Sequence, residues 1–263
     1  TRTKGFYWAG RAARQAGREA DAVRYFEMAA EHPEYYYGQL AISALGLKMP
    51  AFATVPAPQV DAETRAAFEQ RPLVRAIRAI ATNRRDWRTE RRFFEALGES
   101  AGTSEEMALA AQLARETGLE EMAVVLGMKA GEHGLSGFER LGFPTVDTPL
   151  VNDWTMVHAI SRQESEFDRT RVSHAGARGV MQLMPGTARE QSRKLGVRYM
   201  SANLIGDPTY NIRLGDAYFA RMMDYYGGAY PLAIGAYNAG PGRINQWLRM
   251  NGDPRKGEID WVT

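Results

Sequence analysis

Cysteine is absent from the 263 residues, and its absence removes thiolate nucleophiles, disulfide frameworks and Cys-ligated zinc or iron–sulfur sites together. It leaves the compartment open, because a periplasmic protein can lack cysteine. A long apolar run is missing as well. The uncharged stretch 225–242 contains Pro231, Pro241, Asn238 and five glycines, a poor match to a membrane span of about 20 apolar residues, so no transmembrane helix is expected. No dense basic tract occurs: Lys and Arg outnumber Asp and Glu by only 33 to 31 and are spread along the chain, so nucleic acid is not an expected partner. Alternating β-branched runs are lacking, which excludes a large sheet and leaves at most a small hairpin near 196–204. HExxH, GxxxxGK[ST] and EF-hand patterns are all missing, and neither a metal nor a nucleotide cofactor is expected. Residues 1–7 show no basic segment followed by an apolar one, and a signal peptide is expected to have been removed ahead of Thr1.

What remains is a chain with 44% hydrophobic residues, enough to fill one large core or two ordinary ones. From 5 to 134 the apolar spacing is helical. Tyr7, Ala9, Ala12, Ala13 and Ala16 end at Gly17, and Ala22, Val23, Phe26, Ala29 and Ala30 end at His32-Pro33. Further helices are expected over 66–81, 87–97, 105–117 and 120–133, with Asp61 and Thr103 or Ser104 as N-caps. Short helices joined by short turns predict an α-solenoid of degenerate repeats. Stretch 49–58, with three prolines, interrupts it, and stretch 138–152, with Gly142, Pro144 and Pro149, forms the expected domain boundary. Beyond it, helices are expected over 154–163, 187–195, 208–226 and 232–238. The fold class is therefore all-α. Residues 1–137 form an α-superhelical domain expected to lack part of its N-terminus, and residues 138–263 form a second helical domain.

The four histidines, His32, His133, His158 and His174, are scattered. The adjacent Ser173-His174 pair is a poor start for a nucleophilic triad, since neighbours in sequence seldom face each other productively. The informative residues are Glu164-Ser165-Glu166-Phe167, then Gly179-Val180-Met181-Gln182-Leu183-Met184-Pro185, then Ala236-Tyr237-Asn238-Ala239-Gly240. Glu164 closes the apolar helix of Met156, Val157, Ala159 and Ile160. A carboxyl leaning there into an interior lined by Val180, Met181 and Met184 would be desolvated, which raises its pKa and makes it a general acid. The plain alternative is a surface glutamate ending a helix.

These three motifs, in this order, resemble those of the soluble lytic murein transglycosylases, whose goose-lysozyme-like catalytic domain carries Glu-Ser-x-Phe, Gly-Leu-Met-Gln-x-Met-Pro and Ala-Tyr-Asn-Ala-Gly. Only one Leu is replaced, by Val180. Asn211-Ile212-x-x-Gly215-x-x-Tyr218 is similar to the family's intervening helix, and Tyr35-Tyr36-Tyr37-Gly38-Gln39-Leu40-Ala41 to a segment of its superhelix. The resemblance implies that residues 138–263 are a lysozyme-like catalytic domain with Glu164 as sole catalytic acid and base and no cofactor. It places Gln182 and Met184 along the sugar subsites, Ser173 against the glycan, and Tyr237 and Asn238 in the cleft beside Glu164, with Tyr237 placed to hydrogen-bond it. Read without the family, Met184 is core filler, Gln182 a cap, Ser173 a turn residue and Tyr237 a packed aromatic. The family ordinarily continues into a Glu- and Arg-containing tail where this chain stops at Asp260-Trp261-Val262-Thr263.

Two-carboxylate glycosidases hold their acids roughly 5–5.5 Å apart when retaining and about 6.5–9.5 Å when inverting. Here the partner candidates are Glu166, Asp168 and Asp207. Glu166 falls on another helix face and Asp168 at a loop start, where capping is its natural use. The family's route needs no second acid. Glu164 would protonate the glycosidic oxygen between N-acetylmuramic acid and N-acetylglucosamine, then take the proton of the muramic C6 hydroxyl as that oxygen closes on C1, giving a 1,6-anhydro end. Two alternatives stand beside this: a hydrolytic muramidase with water held by Asp207, and a non-catalytic glycan-binding scaffold. The implied partners are peptidoglycan strands and, through the helical domain, cell-wall synthesis or other periplasmic proteins. The implied location is the periplasm, possible association with the cell envelope included.

Overall fold

The computed structural model describes residues 2–52, 54–55, 57–82, 86–145 and 153–260. Fourteen α-helices occur among them, and no strand beyond two isolated bridges, Val172 with Arg178 and Arg178 with Leu183. The all-α expectation is borne out. In the first bundle, α1 (Arg2–Gln15), α2 (Glu19–Ala30) and α3 (Tyr36–Ala44) pack around Tyr7, Ala13, Ala22, Phe26, Ala29 and Ala41. Glycine sets two of its close approaches. A Cβ on Gly10 would stand 2.8 Å from the Phe26 ring, and one on Gly38 would stand 2.0 Å from the His32 carbonyl oxygen.

The second core is built by α4 (Ala62–Gln70), α5 (Pro72–Thr82), α6 (Trp87–Ser100), α7 (Ser104–Glu116) and α8 (Ala123–Glu132). Phe68, Ile77, Phe94, Leu97, Met107 and Leu126 fill it. The helix expected over 66–81 is two helices. Pro72 cannot donate its backbone N–H and pushes Arg71 to an extended ψ of 130°, so α4 stops and α5 starts with proline in its first turn. Asp61 caps α4 through the Thr64 N–H at 2.6 Å, and Thr103 caps α7 through the Glu106 N–H at 3.2 Å.

The third core gathers α9 (Trp154–Ser165), α10 (Pro185–Lys194), α11 (Asn203–Gly206), α12 (Pro208–Tyr225), α13 (Tyr230–Ala239) and α14 (Pro241–Asn251). It includes Val157, Met181, Ile212, Leu214, Phe219 and Ala236. Helix α8 serves two cores, with Leu126 and Ala130 in the second and Val124 in the third. Pro at the first turn and an Asp N-cap recur as start signals. Asp153 accepts from the Met156 N–H at 3.1 Å and Asp207 from the Tyr210 N–H at 3.0 Å. The small hairpin that the sequence left room for near 196–204 is not formed. Tyr210 accepts from the Met200 N–H at 3.1 Å and donates to the Arg198 carbonyl at 3.0 Å, which folds the segment onto α12 and leads it into α11. Of the expected boundary stretch, 146–152 lies outside the described residues, while Phe138 and Leu141 pack in the second core.

Candidate active site

Helix α9 ends in an unusual way, and its last turn carries Glu164. Ser165, fully buried, donates its hydroxyl to the Val180 carbonyl at 2.6 Å, tying the helix end to the loop that follows. Glu166 (φ 54°) and Phe167 (φ 64°) are then both left-handed, a reversal that non-glycine residues adopt at a cost of about 1 kcal/mol or more each. The turn drives Phe167 into the third core and leaves Glu164 half-buried on the other side.

Opposite it, the loop 171–184 is braced from beneath. Asn211, fully buried on α12, accepts from the Met181 N–H at 2.8 Å and donates to the carbonyls of Arg178 at 2.9 Å and Leu204 at 3.0 Å. Gly179 passes so near that a Cβ there would lie 1.9 Å from the Leu204 oxygen, and its φ of 75° suits glycine alone. Gly215 makes room for Met181 in the same way, since a Cβ would lie 2.5 Å from the Met181 sulfur.

The other sequence-predicted residues lie along this loop and on α13, with differing side-chain commitments. Gln182, left-handed at φ 47°, turns its amide back to the carbonyls of Gly179 at 2.8 Å and Arg171 at 3.1 Å, so that donor end stiffens the loop. Ser173 closes a tight turn, its hydroxyl oxygen accepting from the Ala177 N–H at 3.0 Å. Met184 lies exposed at the start of α10, and Asn238 is exposed on α13 beside the half-buried Tyr237. Tyr237 donates to the Met181 carbonyl at 2.8 Å; the hydrogen bond expected between it and Glu164 is not the one its proton makes.

Burial raises the Glu164 carboxyl above the usual carboxylate range, and the Arg171 cation opposes that rise only in part. Tyr237 is pushed well above the ordinary phenol range, first by burial and then by the Glu164 charge, which places the two groups within electrostatic reach. Among the described residues no hydrogen bond or ion pair engages the Glu164 carboxyl, and a half-buried acid kept unpaired is a chemical resource rather than a fastening. The acids the sequence offered as partners for Glu164 are committed. Glu166 pairs with Arg91. Asp168 accepts from the Thr170 N–H at 2.7 Å and hydroxyl at 2.8 Å, and Asp207 caps α12. No cluster of three or more His, Asp or Glu placed to hold a metal occurs among the described residues.

Sequence reading did not find the parts played by Asn211, Ser165 and Arg171. Asn211 belongs to the segment similar to the family's intervening helix, but nothing in its spacing names the carbonyls it serves. Tyr237→Phe is expected to lower kcat about tenfold and stability by about 1–3 kcal/mol, because the Met181 carbonyl loses its donor. Steady-state rates and thermal melts of the variant check both.

Residues 150–259 match the family model described as the Transglycosylase SLT domain. The soluble lytic murein transglycosylase of Escherichia coli K12 is 38% identical over 105 residues, which is 40% of this chain and 16% of that protein. The putative soluble lytic murein transglycosylase of Haemophilus influenzae is 37% identical over 94 residues, 36% of this chain and 16% of that protein. The membrane-bound lytic murein transglycosylase F of Cellvibrio japonicus is 35% identical over 116 residues, 40% of this chain and 22% of that protein. The matched region thus spans about a sixth to a fifth of the length of these curated relatives. Among solved structures, the 70 kDa soluble lytic transglycosylase of E. coli superposes with a TM-score of 0.73 at 26% identity over 98% of this chain and 41% of its own. An inactive mutant of the lytic transglycosylase Slt from Pseudomonas aeruginosa gives 0.73 at 26% identity over 94% and 40%. The resemblance carried by the three motifs is borne out over this region.

Proposed function

We propose that the chain carries the catalytic end of a peptidoglycan lytic transglycosylase. It would cleave the β-1,4 bond between N-acetylmuramic acid and N-acetylglucosamine without water and leave a 1,6-anhydro-N-acetylmuramic acid end. The observation that carries this reading is Glu164: an acid raised by burial, unpaired among the described residues, at the meeting point of the three motifs. Protonated, it donates to the leaving oxygen. Ionised, with Arg171 to moderate the charge, it accepts the proton of the C6 hydroxyl. An internal hydroxyl arrives at high effective concentration and needs no ordered water. That suits a chain in which the candidate second carboxylates, on Glu166, Asp168 and Asp207, are engaged by Arg91 and by backbone groups.

Residues 1–137 are the scaffold in this reading and residues 138–263 the catalytic domain. Gln182 and Met184 line the sugar subsites, Ser173 touches the glycan from its turn, and Tyr237 and Asn238 border the cleft. Both soluble and membrane-bound transglycosylases are among the relatives, which supports an envelope setting, with the periplasm as the finer proposal. Among the described residues no helix is long and apolar enough to cross a membrane. Partners beyond peptidoglycan strands, reached through the helical scaffold, are proposed only as a class, periplasmic cell-wall proteins.

Mass spectrometry of muropeptides released from purified peptidoglycan tests the reading. Products one water lighter than hydrolysed fragments are expected. Water-containing reducing ends would make the protein a muramidase, and no release would make it a binder.

A further inference from the structure

One ion pair joins the N-terminal helices to the turn that carries Glu164. Arg91, on the second turn of α6, pairs with Glu166, 75 positions further along the chain. Its guanidinium also pairs with Glu95 one turn on, at 2.9 Å, and lies 5.5 Å over the Trp87 ring. Both members of the interhelix pair are largely covered, their side chains only 21% and 24% exposed, so solvent screens the contact less than at an open surface.

Glu166 is where such a contact matters. It is the C-cap of α9 and the first of two successive left-handed, non-glycine residues. Strained backbone of that kind persists only where the surroundings dictate it. Burial of the ring holds it at Phe167; at Glu166 the capping bonds of the Glu166 N–H to the Arg162 carbonyl at 3.1 Å and of the Phe167 N–H to the Ser161 carbonyl at 3.3 Å are joined by the side-chain pair with Arg91. On the preceding turn, the half-buried Arg162 is a second cation near Glu166, and its Nε donates to the Gly142 carbonyl at 2.7 Å. Glu164 therefore sits between two residues, 162 and 166, that are each fastened outside the third core.

We propose that Arg91 and Glu166 are positioning residues for Glu164: the ion pair locks the left-handed turn that closes α9 and so aims the Glu164 carboxyl into the cleft. The inference rests on reading Glu164 as the acid. It adds that the helical scaffold shapes the reactive turn directly, through a side chain of its own. A simple staple between two parts of the molecule would instead contribute stability and leave the chemistry alone.

The test compares the full chain with Arg91→Ala, Arg91→Lys, Glu166→Gln and the charge swap Arg91→Glu with Glu166→Arg. In Arg91→Ala, kcat on peptidoglycan is expected to fall ten- to a hundredfold with KM within twofold, the scale of a displacement of about 1 Å at a reacting group. Arg91→Lys should recover part of the loss, and the swap most of it. In the charge-neutral double variant Arg91→Ala with Glu166→Gln, the alkaline limb of the rate profile should move to lower pH, because a looser turn admits water to the Glu164 carboxyl while the surrounding Arg162, Arg171, Asp216 and Tyr237 are unchanged. A lowered Tm with kcat and the profile unmoved would overturn the proposal. A measurement without substrate separates it from the functional reading: the 13C titration of the Glu164 carboxyl, assigned by its loss in Glu164→Gln. An acidward shift in the charge-neutral double variant Arg91→Ala with Glu166→Gln, which leaves neither charge of the pair unbalanced beside Glu164, supports positioning whatever the reaction is, and an unmoved titration in that variant overturns it. Failure of the native chain to cleave peptidoglycan would count against the reading of function alone. If Arg91→Ala does not fold, Arg91→Lys and Glu166→Gln carry the same comparison.

Discussion

Glu164→Gln is expected to lower turnover of peptidoglycan by about 10³–10⁴-fold, the upper range for loss of a general acid–base group, since one residue serves both halves of the reaction. The same variant is expected to melt at or slightly above the native Tm at neutral pH. Burial raises the Glu164 pKa in the folded protein, so the folded state holds this proton more tightly than the unfolded chain does. The contribution to stability is therefore full below the unfolded pKa and is lost as pH rises through the folded value. Glutamine has the shape of the protonated acid and never ionises. The advantage of the variant over the native protein should be absent near pH 4 and grow towards pH 8. Paired thermal melts at the two pH values, with mass spectrometry of released muropeptides, measure both effects. Cleavage above a few per cent of native would remove Glu164 from the mechanism, and a stability difference between variant and native that does not grow as pH rises would remove the desolvated acid.

Most of the fold could be read from punctuation, and its misreadings have identifiable causes. Asp61 and Thr103 act as the N-caps their positions suggest, and Asp207, read as a candidate second carboxylate, is also an N-cap. Pro72 fits the apolar spacing on both sides of it, so periodicity alone carried one helix across a break that the missing N–H enforces. Pro241-Gly242 reads as a breaker after 232–238, yet proline there occupies the opening turn of α14. At the site, motif order brings together Glu164, the 179–185 loop and Tyr237. Side-chain direction was not legible. Gln182 has a positive φ and points its amide at the Gly179 and Arg171 carbonyls, and no spacing rule reports either property. Asp168 was readable as a capping acid, since Asp at a loop start commonly accepts from the N–H two residues on. The Arg91–Glu166 pair links residues 75 apart, where only the folded packing of α6 beside the end of α9 makes them neighbours.

Asn211→Ala is expected to cost about 3–5 kcal/mol, the largest stability effect of any substitution at the site. The side chain satisfies three backbone groups at once: the Met181 N–H and the carbonyls of Arg178 and Leu204. Alanine leaves these unpaired around a void, and each buried orphan costs roughly 1–3 kcal/mol before water or relaxation repays part of it. Against a total stability of about 5–15 kcal/mol the loss is large, and Tm should fall on the order of 10 °C. Activity should fall by more than the folded fraction accounts for, because the Met181 carbonyl that orients Tyr237 belongs to the same brace. Assays well below the variant's own Tm separate the two effects. Gly179→Ala strikes the same joint from the other side, forcing a Cβ against the Leu204 oxygen at a φ of 75°. Because both changes break one joint, the double variant should lose clearly less than the sum of the singles. Strict additivity, or an Asn211→Ala protein that melts within about 2 °C of native, would show that the loop above Glu164 is held by something other than this asparagine.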